Sequence, residues 1–584
     1  MKHQQKLQFG PQVTDEGVFY RLWAPSIQDV KVTINKQTPL QLNKSNDGWH
    51  QLLVKDSKAG DKYKFIIDND LSVPDPASRQ QDKDIHDESL VPVNSFDWQD
   101  LAWEGKDWEE AIIYELHVGT FTPKGDFLSI IDKLDHFVEL GITAIQLMPI
   151  ADFPGKRNWG YDGVLLYAPD TSYGTPDDLR QLIQSAHKKG LMVFLDVVYN
   201  HFGPDGNYLW CYAQEFFSDK HETPWGQAIN LQNKTVREFY IQNTLYWLNE
   251  FHFDGLRFDA VHALIDDSDK HFLKELAERV RTETFGRKVH LILENEKNQA
   301  KYLERDKQDQ PVLYTAQWND DFHHCLRCLA TGENSGYYKN YQENIQDKLL
   351  RSLIEGFVFQ GEGFDYKTVK LRGEKSDHLP LQSFVNFIQN HDHVGNRAFG
   401  ERIGADCNSK TLQTLIALYL LCPSIPMLFM GEEWNSNNPF MYFCDFSGDL
   451  AEAIREGREK EFSEFPEFAD PTERNKIPDP IAEETFIRSK LNWSELKENE
   501  HKTFFEIYKT LMRLRKKYII PFLKDSTGKL KVQAKKISDQ EIEVIWINDQ
   551  SCELIMECTT LVKKLDCNFY IKNKNEFKEQ LFSV

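Results

Sequence analysis

The stretch FDGLRFDAVHAL, residues 253–264, sets Asp254, Arg257 and Asp259 among apolar side chains in what reads as a short buried strand. Strand side chains alternate between faces, so Arg257 and Asp259, two apart, point the same way. A guanidinium beside a carboxylate favours the ionised acid, and an ionised acid is what a carboxylate nucleophile must be. In isolation the pair reads equally well as a structural ion pair. VHLILEN places Glu294 at the end of an apolar run, where desolvation raises a carboxyl's pKa and keeps it protonated for general-acid work. Two acids in such contrasting environments are equipment for cleaving a glycosidic bond. Asp392, in QNHDHVGNR, is a third acid that can bind sugar hydroxyls and steady a cationic transition state.

These acids need a frame that brings strand ends together. From Ala111 onward, short apolar runs alternate with longer segments of helical period. The strand runs are AIIYELHV, AIQLMPI, LMVFLDVVYN, GLRFDA, VHLILEN, PVLYTAQW, SFVNFIQNHD and PMLFMGEEW. Thr175 followed by Pro176 and two Asp marks one helix start, and Gly190 marks its end. Eight βα units predict an α/β protein built on a closed (β/α)8 TIM barrel over 101–520, with a doubly wound open sheet as the alternative. In such barrels the working residues lie at the C-terminal strand ends. Five of those ends are polar here. They carry Asp196, Asn200 and His201; Arg257, Asp259 and His262; Glu294; Trp318 through His324; and His391 with Asp392. Residues 1–100 alternate in the manner of an N-terminal immunoglobulin-like β-sandwich, and EIEVIWIND with its neighbours predicts a small C-terminal β domain over 521–584.

Composition sets the outer limits. Hydrophobic residues at 40% suffice for a large core, and no run is apolar for long enough to span a bilayer. A formal net charge of -22 argues against nucleic acid or an anionic membrane as partner and suits a neutral substrate. The start MKHQQKLQFGPQV has no apolar core of a secretory leader, and nine cysteines, an odd number spread thinly, read as reduced thiols, so a cytoplasmic location is expected. HHCLRC at 323–328 has residues of metal-ligand type but lacks the second half of a zinc site, so no metal is expected there. Acidic runs such as EGREKEFSEFPEF read as solvated faces. No glycine-rich phosphate loop follows a strand and no nucleophile-elbow serine is present.

The segments DVVYNH, FDGLRFDAVH, LILEN and FIQNHD resemble, in order, the four characteristic regions of the α-amylase superfamily. That resemblance implies Asp259 as nucleophile, Glu294 as general acid and base, Asp392 as transition-state stabiliser, and retention of configuration. It also implies sugar contacts from Tyr161, His201, Arg257, His262, Asn390, His391 and His393. The segments FYRLWAP, YELHVGTFTPKGDF, QWNDDFHH, QNHDHVGNRA and LFMGEEWNSNNPFMYFCDF are similar to the malto-oligosyltrehalose trehalohydrolase subfamily. This narrower likeness implies cleavage of the α-1,4 bond between a malto-oligosyl chain and a terminal trehalose, with Trp318, Asn319, Asp320 and Asp321 shaping the reducing-side pocket. It implies malto-oligosyltrehalose as substrate, functional pairing with a malto-oligosyltrehalose synthase, and neither cofactor nor metal. Cys444 and Phe446 stand where Thr and His are more usual, and Leu293 where a small residue is common. A glycogen branching enzyme and a non-catalytic glucan-binding barrel are the rival readings.

Overall fold

The computed structural model describes residues 7–93, 96–284, 286–363, 371–463, 468, 470–526, 528–573 and 578–583, so part of the N-terminal stretch and part of the acidic run at 456–468 lie outside the described residues. All eight apolar runs form strands: β1 (Ile113–Leu116), β2 (Ala144–Leu147), β3 (Met192–Val197), β4 (Gly255–Phe258), β5 (His290–Leu293), β6 (Ala316–Trp318), β7 (Phe384–Asn386) and β8 (Ile425–Phe429). They pair in sequence order, and β8 pairs with β1 in parallel, so the sheet closes into a barrel. Every residue of these strands is buried. Helices cover the outside while side chains fill the inside, which is why the strands read as continuous apolar runs instead of alternating ones.

The outer ring includes α1 (Pro176–Lys188), α2 (Lys234–Glu250), α3 (Phe272–Glu283), α4 (Asp320–Thr331), α5 (Ile345–Glu355) and α6 (Ser409–Leu421). Thr175 caps α1 reciprocally with Asp178, and Pro176 opens the helix, as its sequence predicts. Between β1 and β2 lie two short helices, Phe127–Ile131 and Leu134–Leu140. A separate cluster fills the barrel interior, with Trp108, Phe194, Phe387 and Met427 among its members, and Trp318 belongs to it at the end of β6.

Two antiparallel sheets over residues 12–90 form the N-terminal layer, which meets the barrel where the Phe9 ring lies edge-on to Phe239 at 5.1 Å. A five-stranded antiparallel sheet, Lys531 to Ser583, ends the chain. The expectation of reduced thiols fails at one place. Cys558 and Cys567 occupy directly paired positions on adjacent strands and are joined by a disulfide. Cysteine spacing could not reveal this, because the pairing comes from strand register. Among the described residues no helix is long and apolar enough to cross a membrane.

Candidate active site

Arg257 is the centre of the polar cluster. Its side chain is fully buried, and its guanidinium lies over the Trp318 ring at 4.0 Å, on top of the barrel's inner core. Nη1 donates to Asp196 at 2.6 Å and to Asp259 at 2.8 Å, while Nη2 donates to Glu294 at 2.7 Å. Three strands thus deliver three carboxyls to one cation, since Asp196 belongs to β3 and Glu294 follows β5. Asn200 fixes Asp259 further by donating to its Oδ2 at 3.0 Å. Ala260 adopts a left-handed conformation, φ 40°, and its amide donates to Glu294 at 2.8 Å. The turn after β4 therefore orients the acid that follows β5.

Asp392 comes from the turn beyond β7, His391–Gly395, where the Asn390 side chain accepts the amides of Asp392 and His393. His391 lies 2.7 Å from Glu115 of β1 and 3.3 Å from Asp392. The side chains of Asp259, Glu294 and Asp392 retain 11, 21 and 40% exposure above the buried Arg257, and Asp259 and Glu294 each feel the charge of Asp392. Tyr161 forms a wall. Its ring stacks on His391 at 5.1 Å and its hydroxyl donates to Asp196 at 2.8 Å. Gly160 before it has φ 104°, and a Cβ there would meet the Pro149 carbonyl at 2.0 Å, so only glycine permits this turn. His201 bonds the Tyr161 carbonyl at 3.0 Å and stacks on Trp225 at 4.7 Å.

The electrostatics divide the acids, though not wholly as the sequence suggests. Burial pushes Glu294 up to about 7, against the pull of Arg257, as an apolar strand end implies. Asp259 departs from expectation. Burial raises it above the usual carboxylate range by more than Arg257 lowers it, with Asp196 and Asp392 adding repulsion. One guanidinium shared among three acids cannot hold each of them down. Burial also raises Asp392, but the charged His391 overrides it and holds that acid well below the ordinary range. Burial likewise works against a charged His391, and Asp392 with Glu115 prevail, keeping its pKa well above the usual imidazole value.

The remaining sequence-predicted residues divide between cleft and scaffold. Asp320 is partly exposed, feels Glu294 and Asp392, and is pushed up to about 8 chiefly by burial. Asn319 is buried and donates to Asn386 at 2.9 Å. Asp321 is buried, accepts from Tyr341 at 2.6 Å and Val358 at 2.7 Å, and pairs with Arg372 at 3.1 Å. These two and Asn390 position the walls. His262 sits at the margin, 3.6 Å from Glu296. Asp254 lies at the opposite end of β4, where it accepts from Trp103 and the Val193 amide and faces His187. Cys444 and Phe446 are both buried. Asp196 and Asn200 read only as polar strand ends in the sequence, and Glu115 gives no signal beyond being an acid inside an apolar run.

A family model described as the α-amylase catalytic domain matches residues 81–225 and 206–524. The chain belongs to the α-amylase family. Among its relatives, the malto-oligosyltrehalose trehalohydrolase of Saccharolobus solfataricus is 41% identical over 514 residues, 87% of each chain. The malto-oligosyltrehalose trehalohydrolase of Deinococcus radiodurans is 40% identical over 507 residues, 86% of this chain and 81% of that one. A solved structure titled as a putative α-amylase from Salmonella typhimurium superposes with a TM-score of 0.91 at 42% identity, covering 95% of this chain and 93% of that one. The closed barrel and the flanking sheets are thus those of an α-amylase-family glycosidase.

Proposed function

We propose that this glycosidase hydrolyses the α-1,4 bond between a malto-oligosyl chain and a terminal trehalose unit, releasing trehalose, with retention of configuration. The names of relatives matched over most of their length support the substrate. The single observation that carries the chemistry is Arg257 bonding both Asp259 and Glu294 on neighbouring nitrogens. That arrangement suits the short separation of a retaining pair, about 5 Å.

In this reading Asp259 attacks the anomeric carbon while Glu294, holding its proton near neutral pH, gives it to the leaving oxygen. Glu294 then takes a proton from water, which displaces Asp259 from the sugar. Asp392, held ionised by His391, stabilises the positive charge that develops on the ring. Tyr161 stacks against the sugar, and His201 and His391 bind its hydroxyls. The chain divides at about residues 100 and 520 into sandwich, barrel and C-terminal sheet, works in the cytoplasm, and receives its substrate from a malto-oligosyltrehalose synthase.

The test compares purified protein on malto-oligosyltrehalose and on plain malto-oligosaccharide of equal length. Free trehalose, formed faster than any product from the plain glucan, is the expected result. New α-1,6 branches would instead identify a transferase. Asp259→Asn should abolish hydrolysis while sparing binding, which would remove a purely glucan-binding role, and unchanged turnover in that variant would overturn this reading of the active site.

A further inference from the structure

We propose that His323, His324 and His393 form a binding site for one zinc-class dication beside the cleft. His323 and His324 come from α4, and His393 from the turn that carries Asp392. One ligand atom from each lies within 4.8 Å of the others, the one such trio among the described residues.

The nitrogens are in the state a metal needs. His323 Nδ1 lies 2.7 Å from the Ile388 carbonyl, which fixes the hydrogen there and leaves the lone pair on Nε2, beside the Tyr338 hydroxyl at 3.2 Å. The Nδ1 atoms of His324 and His393 are buried and have no hydrogen-bond partner among the described residues. Buried polar atoms are ordinarily satisfied, so two such nitrogens close to a third imidazole are two lone pairs awaiting a Lewis acid. Asp320 lies 3.7 Å from Nε2 of His393, on the far edge of that ring from Nδ1.

Three imidazoles select zinc, copper or nickel over magnesium or calcium. Zinc–nitrogen bonds of about 2.0–2.1 Å in tetrahedral geometry bring ligand atoms to about 3.4 Å. The trio reaches that spacing by side-chain rotation, which tilts His393 off the face of His323, now 3.5 Å away. An ion so held pins the turn bearing Asp392, so zinc inhibits.

The test uses the full chain, stripped with a chelator and dialysed against zinc. Wild type should take up one zinc per chain, and cobalt in its place should give the intense visible absorption of a tetrahedral site. His324→Asn and His393→Gln should each weaken uptake by about 10–100-fold. Zinc should also lower turnover reversibly, and this inhibition should vanish in His324→Asn relative to that variant's own zinc-free rate. Absence of bound zinc and of the cobalt spectrum in wild type overturns the proposal. So does uptake that survives both histidine variants but is lost in Asp259→Asn, which would place the ion on the cleft acids.

Discussion

Arg257 donates to Asp259 from one nitrogen and to Glu294 from the other, at 2.8 and 2.7 Å, and the nitrogen on Asp259 also serves Asp196. The two acids that must act in turn are therefore positioned by one planar group. Lysine keeps the charge but cannot bond two carboxyls along a rigid fork. Arg257→Lys should lower kcat by about 10²–10³-fold, the scale of removing one preorganised electrostatic group. A fold check by circular dichroism accompanies the assay, and near-normal turnover in a folded variant would refute the central role of this residue.

The pH profile follows from the same cluster. Glu294 must be protonated to act as acid, and its pKa is about 7, so turnover should fall as pH rises through that value. Asp259 must be ionised and is raised above the usual range, so the acidic limb should lie above the ordinary aspartate value. In Glu294→Gln, assayed with a glucosyl fluoride whose leaving group needs no proton, the basic limb should vanish from bond cleavage. A limb that persists would assign it to another group.

How far the sequence foretold this site depends on what kind of contact is involved. The eight strands and the three acids are legible because each is a local pattern, an apolar run ending in a polar residue. Glu115, which secures His391, is not legible, because only closure of the barrel brings β1 near the turn beyond β7. Asn319 and Asp321 look like pocket residues beside Asp320, yet the start of α4 rotates them into the scaffold. The charge state of Asp259 depends on Asp196, and only the parallel register of β3 on β4 brings that residue alongside Arg257. His393 joins His323 for the same reason, through folding and not spacing.

Glu115 gives a prediction of its own. It is buried in β1 and bonds the His391 ring and the amide of the same residue. Glu115→Gln keeps the shape and removes the charge. The titration of His391, followed by NMR, should move down by about 1–3 pH units, the usual worth of one close charge partner. Asp392 would then lose part of what keeps it ionised, while the acidic limb of turnover, set by Asp259, should stay in place. A purely packing role would leave the His391 titration where it is.

The last prediction concerns stability, at the hairpin that frames the Tyr161 loop. Its strands are Ala151–Asp152 and Leu165–Pro169, and the buried Asp152 and Asp170 face each other there. Burial raises Asp152 far above the usual range, with repulsion from Asp170 and Asp84 adding to it, and raises Asp170 to about 7. Asp170 accepts the amides of Phe153 and Ser172, so Asp152 is the member best placed to keep a proton. A carboxyl raised on folding contributes stability that is full below its unfolded value, ~4, and is lost as pH climbs to the folded value. The wild-type melting temperature should therefore carry a component that declines between pH 4 and about 7, by at most about 1.4 kcal/mol per pH unit for each proton. Asp152→Asn supplies a donor that does not titrate. Its melting curve should be flatter across that window, and a slope identical to wild type would show that the pair holds no proton.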